Sequence, residues 1–248
     1  MTPSLPRPLP FLAACCAACT PGTPQTPAAF TPPPAATLAA SPTPTRLPPS
    51  PTQAPALAPA PRFFTETFDG PLPHWTYLQA GNGQPMAAPA VRDGFLVFQL
   101  GAPDQWGYAV YGGPAYADVT VEAVVQDRTG GDGAAGLLCR YDRSAGWYEF
   151  DVYADGAYRL LYGQWLADGV AAYTPLAGGE SSAIQAGENT LRLECRGDTL
   201  APSINGRPLR KWQELKFGLR TGRIGLAASS FADTPFIAAF DSLKVSTP

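Results

Sequence analysis

The stretch that decides the fold is residues 136–163, GLLCRYDRSAGWYEFDVYADGAYRLLYG. It holds three short runs rich in aromatic and branched residues, GLLCRY, WYEFDVY and AYRLLY, separated by clusters of Asp, Ser and Gly. That pattern predicts three antiparallel strands. Asp155-Gly156 predicts a tight hairpin, because both residue types tolerate the positive φ that such turns require. On a strand alternate residues share a face, so Tyr148, Phe150 and Val152 are expected in the core. Trp147, Glu149, Asp151 and Tyr153 point the other way, onto the outer surface of a sheet. Arg140, on the preceding strand, and Tyr158 or Arg159, across the hairpin, are expected beside them.

Outward from this stretch the same signal repeats. Residues 94–100, 117–125, 135–141, 147–153, 158–162, 189–195, 222–228 and 236–245 read as strands, and Asn205-Gly206 marks a further hairpin. Helical periodicity is nearly absent, with one short candidate at 209–215. Roughly a dozen strands in residues 63–248 predict an all-β domain, a two-sheet antiparallel β-sandwich of jelly-roll type.

Residues 20–62 are different in kind. Of these 43 residues 14 are Pro and 8 are Thr, and none is acidic. Such a segment cannot bury enough apolar surface to offset the entropy of ordering, so a disordered linker is expected, able to reach roughly 130 Å at about 3.1 Å per residue. Residues 1–19 carry Arg7, a short apolar run and then Leu12-Ala13-Ala14-Cys15. This resembles the bacterial lipobox, which implies a lipoprotein signal peptide, lipidation at Cys15 and an exported, envelope-bound or extracellular chain. No run approaches the ~20 apolar residues of a membrane-spanning helix, so a lipid anchor is the only membrane contact expected.

Charge and cysteine content fit that placement. Beyond residue 62 there are 14 basic and 20 acidic residues, a net of −6, which argues against nucleic-acid binding. Outside the cluster Cys15, Cys16 and Cys19, only Cys139 and Cys195 remain. An even pair on predicted strands of an exported domain is expected to form a disulfide.

Residues 136–163, with NTLRLECRGDTLAPSINGRPL at 189–209 and TGRIGLAASSFADTPFIAAFDSLKV at 221–245, resemble the concanavalin A-like (laminin-G-like) jelly-roll domain. The layout is similar to the 3-keto-disaccharide hydrolase domain family. The resemblance spans nearly all of 63–248, from FTETFDG to AFDSLKV. It implies the fold firmly and the function weakly, since this fold hosts lectins, adhesion modules and hydrolases.

Laminarinase-like retaining glycosidases of this fold carry Glu-x-Asp followed shortly by a second Glu. One carboxylate attacks the anomeric carbon and the other protonates the leaving oxygen from about 5–5.5 Å away. Glu149-Phe150-Asp151 supplies the beginning, but Val152, Tyr153 and Ala154 follow, so the proton donor is missing. His74, the single histidine, lies in LPHWTYL with no nucleophile elbow in the chain, and QDRTGGDGAAG lacks the Lys-Ser/Thr of a phosphate loop.

The expectation is therefore a monomeric domain that binds carbohydrate or a surface glycan without catalysis. Trp147, Trp165 or Trp106 would stack on sugar rings, and Glu149, Asp151, Tyr153 and Arg140 would bond hydroxyls. A glycoside-acting hydrolase of the 3-keto-disaccharide type and a structural or protein-binding module are the alternatives. Calcium is the one metal the composition favours. Paired first and last strands would bring Glu66 and Asp69 near Asp241, and Asp127 with Asp132 form a second candidate.

Overall fold

The computed structural model describes residues 58–248. The expected signal peptide, the expected lipidation site at Cys15 and the expected linker up to residue 57 lie outside the described residues. Sixteen strands follow in order. The first eight are β1 (Phe64–Glu66), β2 (Trp75–Gly81), β3 (Ala90–Arg92), β4 (Phe95–Leu100), β5 (Gln105–Tyr111), β6 (Val119–Asp127), β7 (Gly133–Asp142) and β8 (Gly146–Tyr153). Then come β9 (Ala157–Ala167), β10 (Val170–Glu180), β11 (Glu188–Arg196), β12 (Thr199–Ile204), β13 (Arg207–Pro208), β14 (Trp212–Gln213), β15 (Arg223–Ser230) and β16 (Phe236–Ser246).

All the strand pairings are antiparallel, and they build two sheets. One runs β13-β12-β11-β6-β16-β4-β3, with β1 also on β16 and β14 on β12; the other runs β10-β9-β8-β7-β15-β5-β2. The all-β sandwich expected from the alternating runs is thus the observed architecture. The predicted hairpins at Asp155-Gly156 and Asn205-Gly206 are both present, with φ of 91° at Gly156, 49° at Asn205 and 74° at Gly206.

The core between the sheets takes the residues that the alternation assigned to it. Leu137, Tyr148, Phe150, Val152, Leu160 and Leu226 from the seven-stranded sheet pack against Val121, Ala123, Leu191, Leu193, Phe240 and Leu243 from the other. Tyr148 is large and polar at its tip, and burial there requires a partner. Its hydroxyl donates to the Glu214 carboxylate and accepts from the Leu219 amide at 3.1 Å.

Glu214, itself buried, also accepts from the amides of Lys216, Phe217 and Gly218 at 2.7–3.0 Å. Burial alone would raise its pKa, but these donors together hold it below the ordinary value. The segment expected as a helix at 209–215 is instead this carboxylate-organised loop with the two-residue strand β14. The four amides that follow it, those of residues 216–219, need acceptors, and Glu214 and Tyr148 supply them.

Cys139 on β7 and Cys195 on β11 are joined by a disulfide that ties one sheet to the other. The first and last strands pair as expected, Phe64 opposite Val245. The last residues of the Pro-rich segment lie along the domain. The carbonyls of Pro61 and Arg62 accept from the hydroxyls of Tyr111 and Tyr116, both buried rings.

Candidate functional site

The face of the seven-stranded sheet turned away from the core was expected to be solvated. Instead it is roofed. β10, which the sequence reading did not identify, pairs along β9, and the hairpin tip between them reaches the opposite edge of the sheet, where Gly81 N donates to Gly169 O at 3.1 Å. Three more contacts hold the tip. Arg143 pairs with Asp168, the Arg143 guanidinium lies over the Trp165 ring, and Trp165 Nε1 donates to Tyr141 Oη at 3.1 Å.

Beneath the roof is a second, aromatic core of Tyr108, Val110, Leu138, Tyr141, Trp147 and Ala227, with Trp106, Trp165 and Tyr173 packed on it. Trp147 sits at its centre. Its ring lies 5.6 Å from Tyr108, 5.6 Å from Tyr141, 5.3 Å from Trp165 and 6.0 Å from Tyr173, between centroids. Gly163 opposite makes this possible, since a Cβ there would stand 2.4 Å from the indole. Trp147 is 0% exposed and cannot stack on a sugar.

Glu149 and Asp151 face the same side as Trp147, as the alternation requires, yet are only 1% and 4% exposed. This corrects their reading as a solvent-facing pair. Trp147 Nε1 donates to Glu149 Oε2 at 2.7 Å, and Gly136 leaves the space Asp151 occupies, because a Cβ there would lie 2.0 Å from Asp151 Oδ1.

Burial pushes Glu149 up to about 7, although hydrogen bonds with Trp147, Asp151 and Tyr173 pull it down. Burial and the adjacent Glu149 hold Asp151 well above the usual carboxylate range, and Arg159 offsets this only in part. Two adjacent carboxyl groups removed from water disfavour a second charge, so both are held toward their protonated forms. No buried side-chain N or O among the described residues lacks a partner.

Arg140 is not on this face. A β-bulge after Cys139 inserts an extra residue, and Arg140 takes a left-handed backbone at φ 53°. Its side chain, 2% exposed, donates to the carbonyls of Ala117 and Leu219 at 2.8–3.2 Å, with Asp118 3.7 Å away. The alternation resumes at Tyr141, which takes the place expected of Arg140.

Three of the expected ligand residues remain within reach of solvent: Trp106, Tyr153 and Trp165, each half-buried. Tyr153 stacks on Phe231 at 5.8 Å, and Arg159 lies over its ring. Trp106 forms a wall of a pocket of about 350 Å³, with Ala80, Gly81, Asn82, Asp104, Val170, Ala171 and Tyr173. The Trp106 and Tyr173 rings lie 6.3 Å apart and 33° from parallel.

Gly81 shapes the floor. At φ +132°, with a Cβ position only 2.0 Å from Asp104 O, no other residue would let β2 and the Asp104 turn approach so closely. Asn82 holds the same turn through Pro103 O, and its own amide donates to Asp104 O at 3.0 Å. The exposed Asp104 side chain lies at the rim. Asn82, Asp104 and Tyr173 were not foreseen. For Tyr173 a signal existed, since Asp168-Gly169 is the same dipeptide that marked the preceding hairpin.

Of the calcium candidates, Glu66 accepts from the Phe68 amide, Asp69 from the Thr67 hydroxyl, and Asp241 is exposed on β16. Asp127 accepts from Thr129 and Gly130, and Asp132 from Ala232. Among the described residues no three His, Cys, Asp or Glu are grouped as a metal ion needs.

No protein-family model matches the chain, and no curated protein matches it. Solved structures do. A carbohydrate-binding module of family CBM66 from Bacillus subtilis superposes with a TM-score of 0.50 at 18% identity, covering 70% of this chain and 96% of that one. A Bacillus subtilis protein with a galectin-like fold gives 0.53 at 12%, covering 74% and 94%. A glycoside hydrolase family 16 endo-glucanase from Bacteroides ovatus gives 0.54 at 10%, covering 74% and 99%. At such identities the likeness is one of fold, and the domain is a concanavalin A-like jelly roll.

Proposed function

We propose that this domain recognises carbohydrate without hydrolysing it, and that its site is the pocket lined by Trp106 and Tyr173. The observation that carries the reading is the pocket's composition. Two half-buried aromatic rings can pack on the apolar faces of a sugar, while Asn82 and the exposed Asp104 carboxylate offer polar groups for hydroxyls at the rim. Small-molecule sites have this character, mostly apolar walls with a few placed polar groups, and volumes from about 300 Å³ upward.

The buried carboxyl pair supports a non-catalytic reading. Glu149 opens the partial Glu-x-Asp pattern of a retaining glycosidase, but Trp147 Nε1 bonds it and it is 1% exposed, closed off from substrate and water. Val152, Tyr153 and Ala154 follow, so the second Glu that would protonate the leaving oxygen is missing from this strand.

The rest of the chain fits an exported setting. A disulfide between buried cysteines favours an oxidising compartment, and Leu12-Ala13-Ala14-Cys15 would supply a lipid anchor with residues 20–62 as a spacer.

The test is a glycan array on the protein, with calcium and with a chelator, followed by affinity electrophoresis of the Trp106→Ala variant in the glycan retained. Truncating an aromatic anchor worth about 2 kcal/mol should weaken retention more than about tenfold. An empty array, or undiminished retention by Trp106→Ala, would sink the assignment.

A further inference from the structure

The curved sheet of a jelly roll can offer an open groove along which a polymer lies. Here that groove is interrupted. The β9–β10 tip crosses to β2 through Gly169 O and Gly81 N, and Arg143–Asp168 and Trp165–Tyr141 pin it from the β7–β8 side. Beneath the crossing there is no passage, because Tyr108, Leu138 and Trp147 are all 0% exposed.

Strand β5 shows the blockage residue by residue. Trp106 lines the pocket described above, while Val110 lines a second depression of about 420 Å³ with Thr76, Leu78, Tyr141, Arg143 and Arg223. Between them on the same face sits Tyr108, packed against Trp147 and Trp165 with its hydroxyl on that of Tyr173. The two depressions share no lining residue.

From this we infer that the Trp106–Tyr173 pocket takes the end of a saccharide chain, a terminal residue or a short oligosaccharide, and not the interior of a polymer. The inference rests on the carbohydrate-recognition reading given above and narrows its ligand class. A chain entering past Asp104 meets the hairpin tip and the Tyr108–Trp147 plug and stops. A volume of about 350 Å³ lies near the lower bound for small-molecule sites, which suits one or two rings.

The experiment uses the wild-type chain and soluble neutral polysaccharides: dextran, mixed-linkage β-glucan, xylan, galactan and mannan. Each polymer that is bound is cut by partial acid hydrolysis to about one tenth of its mean length. Binding sites per gram are then counted by titration calorimetry before and after. Chain-end recognition predicts about a tenfold rise in sites per gram, and displacement of the polymer by its own free monosaccharide. Sites per gram that stay constant while binding persists would overturn the inference and leave carbohydrate recognition standing. Absence of binding to any glycan, here and on the array, would overturn both.

Discussion

Replacing Glu149 with Gln removes one ionisable group from beneath the hairpin and keeps an oxygen to accept from Trp147 Nε1. In the native domain Glu149 holds its proton up to about pH 7, against 4.5 for the ordinary side chain. Between those values the unfolded chain has released a proton that the folded chain still binds, so stability is full below pH 4.5 and falls as pH rises toward 7. The difference is worth about 3 kcal/mol, at 1.36 kcal/mol per pH unit. Asp151, raised by burial and by its neighbour, adds loss in the same direction. Glu214, lowered by its donors, stays ionised in the folded domain and opposes the loss only slightly, near pH 4.5, where the unfolded side chain is still partly protonated. Urea unfolding followed by tryptophan fluorescence at pH 4.5 and 7 reads the effect directly. The wild type should lose stability on going to pH 7, and Glu149→Gln should lose about 3 kcal/mol less. A wild type equally stable at both values, or more stable at pH 7, would refute the buried, protonated carboxyl pair.

Replacing both Cys139 and Cys195 with Ala opens a crosslink between residues 56 apart in sequence. A loop of that length corresponds to about 4 kcal/mol in the chain-entropy model, and the urea midpoint should fall accordingly with most of the loss in the unfolded state. Gly163→Val places methyl groups inside the Trp147 ring and should cost about 1–3 kcal/mol by overpacking, seen as a lowered Tm without loss of the β-sheet circular dichroism. Trp147→Ala should destabilise by about 3–5 kcal/mol, so any loss of glycan retention in it should track the unfolded fraction, unlike that of Trp106→Ala.

The sandwich was legible because its strands alternate cleanly and its turns carry explicit chemistry. Tyr148, Phe150 and Val152 lie in the core and Trp147, Glu149 and Asp151 on the other face, as their spacing alone required. What the spacing could not convey was the covering of that second face. It depends on β10, VAAYTPLAGGE, where Pro175 and the Gly178-Gly179 pair break the alternation that identifies a strand. One register shift against β9 falls just after Pro175 and another beside the hairpin tip at Val170, and tertiary contact, not local pattern, holds the segment in place. Arg140 was misplaced for a related reason. Strict alternation was carried through Cys139, but the bulge there adds one residue, and nothing in GLLCRYD distinguishes the bulged strand from a regular one.

The stacking of Trp147 and Trp165 has a spectroscopic consequence. Their indoles lie 5.3 Å apart at 44°, one on the body of the sheet and the other near the hairpin tip. Two chromophores so close and so inclined couple their electronic transitions, and the resulting circular-dichroism couplet weakens steeply as the rings separate or turn. The fold thus carries an intrinsic optical gauge of whether the hairpin is seated, readable in the unlabelled protein under any condition of pH or glycan.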